Sequence, residues 1–369
     1  MLNKSIFRRV KVRINKKILE ILGMKISYNY YLDNPLWSRK NVNRIALYSD
    51  VVNIKISDYF DKSVEYQYCF PKRYVYELEN VIIDPLHNLI YDENGVLIAE
   101  SSAWEYQRLL YETFQPKIKN YKNLNIKKGT YIFMQNIPNY YHWLIEDLPP
   151  FINSWNFVKE KKMNYKILIG RHYNFPPIKD FFNKYLKEEK CEFINYLKPF
   201  RVERLIFTAK TGGMGNPFGS ANIAHPKDIK LLRSFFDEYI SQENPIQKIY
   251  MSRSKAKRRK LIGEEKIDKF FEDKGFKIFY GNLSLFDQIK LFSKSNLAVG
   301  PTGASMTNII WMPKKAKFID LHYKDKIFPF FYNLAQFLDI DYKYLEIPSN
   351  ELDEKMLNEI FVKIESFLK

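Results

Sequence analysis

After Gly129 short apolar runs and amphipathic stretches alternate along the chain, a rhythm that predicts strand and helix in turn. Strands are expected at 131–135, 166–169 and 204–208, with helices following Tyr140 and at 178–186. A second series predicts strands at 248–251, 277–280, 297–299, 316–321 and 342–347, with helices at 264–273, 284–295 and 330–338. Both series describe α/β units built on mainly parallel sheets. Upstream, 42–98 is rich in Tyr, Val and Ile in runs broken by Asp84-Pro85 and Asn94-Gly95, which predicts strands and a hairpin. Residues 104–114 pattern as a helix, and 351–368 forms another with Leu352, Met356, Ile360, Ile364 and Phe367 on one face.

Punctuation divides the pattern. Residues 211–219 are too glycine-dense for a strand or helix and predict a mobile loop. His225-Pro226 opens a helix to about residue 240, and 241–245 is the linker candidate. The expected division is therefore 1–244, 245–350 and a terminal helix at 351–369, with a cleft between two α/β halves.

A length of 369 residues with 46% hydrophobic content suits two globular domains. The formal charge of +17 points to an anionic partner without selecting among nucleotides, acidic lipids, glycans and nucleic acid. No RNP, KH or helix-turn-helix pattern is evident, so nucleic acid is not the expected partner. Cys69 and Cys191, the only two cysteines, are too few for a disulfide scaffold or thiolate metal site, and a cytoplasmic location is the simpler expectation. No apolar run is long enough to cross a bilayer. Ile6, Val10, Ile14, Ile18 and Leu22 recur at helical spacing among Arg8, Arg9, Lys11, Arg13, Lys16 and Lys17. Such a basic amphipathic helix suits either peripheral contact with an anionic membrane or packing on its own domain.

Three segments carry chemistry. Residues 297–313 read as a buried strand, a small-residue turn with Gly300 and Gly303, and a helix start capped by Thr307 or Asn308, the way α/β folds build phosphate sites. Arg253, Arg258 and Arg259, with Lys255, Lys257 and Lys260, follow a strand end and can neutralise a diphosphate. His142 and Glu146 stand four apart on a helix that Pro149 ends, so the carboxylate either orients an imidazole for proton transfer or satisfies a buried histidine. Asp147 is a reserve base. The Asp-x-Asp at Asp339 and Asp341 fits a turn better than a cation site, no zinc ligand set is present, and His87, His172 and His322 are isolated.

In order and spacing, Asn139-Tyr-Tyr-His-Trp-Leu-Ile-Glu-Asp-Leu-Pro-Pro150, the Ser252-Arg253 segment through Glu264, and Gly300-Pro-Thr-Gly-Ala-Ser-Met-Thr-Asn308 resemble glycosyltransferase family 61 over about 130–345. That family's pattern has Tyr-His-Trp-Leu-x-Glu-x-Leu-Pro, Ser-Arg with an arginine pair and Asn-Glu, and Gly-x-His-Gly-Ala-x-x-x-Asn. Thr302 stands where histidine is usual and Gly263 where asparagine is usual. The resemblance implies a GT-B-like fold, two Rossmann-like domains facing a central cleft, with the acceptor on 1–244 and the nucleotide-sugar on 245–350, a fold in which a terminal helix such as 351–369 often crosses back to the first domain. It further implies an inverting, metal-independent transferase with no cofactor, using a nucleotide-sugar donor, expected to be a UDP-sugar. His142, Glu146 and Asp147 are the catalytic candidates. Arg253, Arg258, Arg259, Gly300, Thr302, Gly303, Ala304, Ser305 and Asn308 are the donor-binding ones. The acceptor would be a glycan or lipid-linked glycan of a bacterial capsule or lipopolysaccharide at the inner face of the plasma membrane. A nucleic-acid-binding protein and an inactive glycan-binding protein on the same fold are the alternatives.

Overall fold

In a computed structural model of the chain the described residues are 43–48, 52–57, 65–70, 73–86, 88–95, 98, 101, 121–135, 137–170, 172–194, 198–210, 224–256, 263–323, 330–347 and 353–368. The basic N-terminal helix, the helix at 104–114, the glycine-dense loop, Arg258 and Arg259 lie outside them, as do His87 and the Cys69 side chain. The chain forms two compact units. One comprises 1–57, 63–138 and 142–225, and the other 58–62, 139–141 and 226–369.

The first unit is built on a seven-stranded mixed sheet. Its strands are β1 (Asn43–Tyr48), β4 (Arg73–Asp84), β5 (Leu89–Tyr91), β6 (Ile126–Met134), β7 (Tyr165–Ile169), β8 (Cys191–Phe193) and β9 (Phe200–Thr208), while β2 (Val52–Ser57) and β3 (Glu65–Phe70) form a separate antiparallel ribbon. The order is β1-β4-β9-β6-β7-β8, with β5 beside β4. From β9 to β8 the pairing is parallel, whereas β1, β4 and β5 add an antiparallel flank. Of the strands upstream of residue 98, β1, β4 and β5 thus join the α/β sheet, because β4 pairs β9 from Val75↔Thr208 to Ile83↔Phe200. Leu78, Ile83, Tyr131, Leu168, Val202 and Leu205 are among the residues of its buried cluster.

Between β6 and helix α1 (Leu148–Glu160) the backbone takes a π-helical course over His142–Asp147. Pro149 therefore does not end a helix, as its position predicts, but lies in the first turn of a new one with Pro150. Neither proline has an N–H to return to Ile145 or Glu146, so a regular α-helical ladder cannot run through them, although both fit a helix start. After β7, helix α2 (Pro176–Phe181) continues into a second π-helical stretch, Phe182–Leu186.

The second unit begins with α3 (Pro226–Phe235) and holds a wholly parallel sheet. Its strands are β10 (Gln247–Met251), β11 (Lys277–Phe279), β12 (Ser295–Pro301), β13 (Lys317–Tyr323) and β14 (Asp341–Ile347). The order β11-β10-β12-β13-β14 matches the strands expected from periodicity, with α4 (Glu264–Asp273), α5 (Leu285–Ser293) and α6 (Phe330–Leu338) between them. Residues 226–244 group with this unit rather than with the N-terminal half, and Ser241 of the supposed linker donates its N–H to Ser293 Oγ at 2.9 Å. The terminal helix α7 (Glu354–Leu368) also stays here: Leu357, Ile360 and Ile364 bury against Tyr250, Phe271, Val299 and Ile319. Burying such side chains contributes about 1.5–3 kcal/mol each. Among the described residues no helix is long and apolar enough to cross a membrane.

Candidate functional site

In the second unit the chain leaves β10 for β11 on one side and returns to β12 on the other. In open parallel sheets such a reversal opens a crevice at the carboxyl ends of the two strands. Here those ends carry Arg253, two residues past β10, and Gly303, two past β12. The two touch: a methyl group on Gly303 would overlap Arg253 Nη1 and lie 3.0 Å from Cζ. Gly303 has extended backbone, so its lack of a side chain serves close approach and not an unusual conformation. Gly300 meets a comparable limit, since a side chain there would press on the Met251 backbone oxygen at 2.9 Å.

Beyond Gly303 a 3₁₀ helix runs Ala304–Trp311, and at its start the Met306 N–H donates to the Gly303 carbonyl at 3.0 Å. The amides of Gly303, Ala304 and Ser305 precede that bond, and N–H groups at a helix start favour anions. Thr307 and Asn308 do not cap this helix; both are buried within it. The Thr307 hydroxyl donates to the Ala304 carbonyl at 2.7 Å, and Asn308 Nδ2 donates to the Ser305 carbonyl and to Gln288 Oε1, each at 3.0 Å. Asn308 Oδ1 accepts from the Tyr140 hydroxyl at 2.8 Å, so Asn308 holds the turn from behind and meets no ligand. Burial pushes the Tyr140 phenol well above its ordinary range.

The loop bearing Arg253 is tied down by α4. Glu264 accepts the Arg253 backbone N–H, and the Ser254 hydroxyl donates to Asp268 Oδ2 at 2.8 Å. Gly263, at the α4 N-cap, has φ 72°. Glycine and asparagine are the residues that tolerate this left-handed backbone best, which accounts for glycine where the family pattern has asparagine.

Thr302 faces inward. Its hydroxyl donates to Asp320 Oδ1 at 2.8 Å and lies 3.2 Å from His322 Nδ1. It therefore braces the turn instead of reaching a donor, and His322 is not isolated but buried beside it. The imidazole absent at 302 stands one strand over, on β13.

In the first unit His142 Nδ1 lies 2.9 Å from Glu146 Oε2, with the side chains 25% and 8% exposed. Burial disfavours the imidazolium, but the hydrogen bond and charge of Glu146, with the charge of Asp147, outweigh it and hold His142 above its ordinary value. Glu146 Oε1 is buried without a hydrogen-bond partner among the described residues. Asp147 is not a reserve base. Its fully buried carboxylate is paired with Lys210 and accepts the Ile137 N–H at 3.0 Å, so both oxygens are committed.

Among the described residues no group of three or more His, Cys, Asp or Glu could hold a metal ion. Asp339 sits in a left-handed turn (φ 57°) with its carboxylate 2.7 Å from Lys315 Nζ, as the turn reading of Asp-x-Asp expects. Tyr140, Glu264, Asp268, Gln288, Asp320 and His322 are not among the site residues expected from the sequence. Only Glu264 and Tyr140 fall inside the family-like motifs.

The family model for Glycosyltransferase 61 matches residues 140–319. Among solved structures, the dodecameric iron-containing heptosyltransferase TibC in complex with ADP-D-beta-D-heptose aligns over 89% of this chain and 97% of that one, at 8% identity and a TM-score of 0.27. A comparison with curated proteins returns no match.

Proposed function

We propose that this chain, a glycosyltransferase whose residues 140–319 resemble family 61, is an inverting, metal-independent enzyme of GT-B arrangement acting on a nucleoside diphosphate sugar. A UDP-sugar is the expected donor. The acceptor is a growing capsule or lipopolysaccharide glycan at the cytoplasmic face of the membrane. His142, oriented through Nδ1 by Glu146, takes the proton of an acceptor hydroxyl on Nε2. The hydroxyl oxygen bonds to the anomeric carbon as the bond to the diphosphate breaks, its electron pair leaving on the phosphate oxygen. Arg253 and the amides of Gly303, Ala304 and Ser305 stabilise that departing charge.

The observation that supports this reading best is the contact of Arg253 with Gly303 where the strand order of the second sheet reverses. The Arg253 guanidinium lies against Gly303, and the 3₁₀ helix starts at the next residue. The test is calorimetric titration of the intact chain with UDP, GDP, ADP and CDP and with the matching nucleosides. Selective binding of one diphosphate over its nucleoside is expected. Equal, salt-sensitive binding of all four and of unrelated polyanions would overturn the reading in favour of a general polyanion-binding protein.

A further inference from the structure

We propose that Asp320 and His322, on β13, are positioning residues for the donor turn, acting through Thr302; this rests on the turn's reading as a diphosphate cradle. Strands β12 and β13 pair in register, Gly300 opposite Asp320 and Pro301 opposite Leu321. The Thr302 N–H extends that ladder to the Leu321 carbonyl at 3.2 Å. Asp320 and His322, two apart on one face of the strand, both have 0% exposure, so neither can touch a ligand.

What they touch is the turn. The Thr302 proton goes to Asp320 Oδ1 at 2.8 Å, and the Thr302 oxygen lies 3.2 Å from His322 Nδ1. Tyr342 donates to Asp320 Oδ2 at 2.5 Å, and His322 Nε2 lies 2.7 Å from the same oxygen. A buried carboxylate is costly unless its oxygens are satisfied, and here both are. A pair of apolar side chains would fill the same space without that requirement and is often as stable. The polar set adds direction: it fixes the Thr302 hydroxyl inward. The next peptide unit then enters extended Gly303 (φ −178°, ψ 172°) from one orientation, with Gly303 against the Arg253 guanidinium and the Ala304 and Ser305 amides following in the chain. Holding donors before the ligand arrives is what makes such a cradle effective.

The test uses the intact chain and whichever of UDP, GDP, ADP and CDP the wild type binds, with its nucleoside as reference. Thr302→Val and His322→Leu are expected to weaken diphosphate binding by about tenfold, the equivalent of one lost hydrogen bond to a charged group. Nucleoside affinity should stay within about twofold. Thr302→Ser, which keeps the hydroxyl, and His322→Asn, whose amide keeps a polar group near Nδ1, should restore binding to within about threefold of wild type. In turnover assays the donor KM should rise more than kcat falls. Thermal melts identify any variant that fails to fold, and the two conservative changes keep the comparison open if His322→Leu does. Wild-type binding to one diphosphate with Thr302→Val binding equally well overturns this inference alone. Parallel loss of nucleoside and diphosphate affinity makes the network merely structural and also overturns it. Failure of the wild type to bind any of the four removes the cradle reading, and this inference with it.

Discussion

The guanidinium of Arg253 occupies the space that a side chain at Gly303 would need. Two residues fifty apart in sequence therefore behave as one element. Arg253→Ala should weaken nucleoside diphosphate binding by about 1.5–3 kcal/mol, the range for a hydrogen bond to a charged group, and leave the bare nucleoside almost unaffected. Gly303→Val should do similar damage by displacing the arginine. The double variant should lose clearly less than the sum of the two, which titration calorimetry on all three proteins would reveal. Additive losses would mean that the two act separately.

His142→Ala should lower kcat by about 10²–10⁴-fold, the usual contribution of a general base, while donor affinity stays near wild type. Unchanged turnover would remove His142 from the chemistry.

The pH profile follows from the same pair. A base must be neutral, so kcat/KM should fall on the acid side as His142 takes a proton, with the limb above the ordinary histidine value because Glu146 and Asp147 favour the imidazolium. Glu146→Gln deletes the larger of those favourable influences and leaves burial, which disfavours the charge. The limb should therefore move to lower pH while the maximal rate drops less than for His142→Ala. A profile that stays in place would show that Glu146 does not set the imidazole's charge.

Asp147→Ala tests a structural role. It would strand the Lys210 ammonium in a buried setting, and breaking such a pair costs about 3–5 kcal/mol. Urea unfolding should show that loss, and the folded fraction should retain its donor binding.

Chelation should leave turnover unchanged, since the proposal assigns the departing charge to Arg253 and backbone amides. Loss of activity in EDTA with recovery on adding manganese or magnesium would overturn that assignment.

Much of the second unit is legible in the sequence because the central parallel strands carry short apolar runs and the helices between them have one apolar face. α4 and α6 begin and end where the pattern places them. The sheet of the first unit is less so, since nothing in the local pattern of residues 73–84 says that their partner lies more than a hundred residues away in β9. The pairing of His142 with Glu146 follows from spacing. The inward turn of Thr302 does not, because Asp320 and His322 reach it only through the register of β12 on β13. Likewise Asp147 differs from Glu146 by one position, yet only tertiary packing sets Lys210 against it.

The second unit borrows three residues, Asn139–Tyr141, from a stretch of chain that otherwise builds the first. Within that unit Tyr140 completes the hydrogen bonding of Asn308, and the Tyr141 ring meets Phe331 edge-on at 5.8 Å. Cutting the gene between codons 225 and 226 would therefore not yield an interchangeable module. The released fragment would carry an amide oxygen at Asn308 without its donor and an uncovered face on Phe331. Swapping donor specificity between relatives by exchanging the C-terminal piece alone would inherit that defect, whereas an exchange that also carries the tyrosine pair would not.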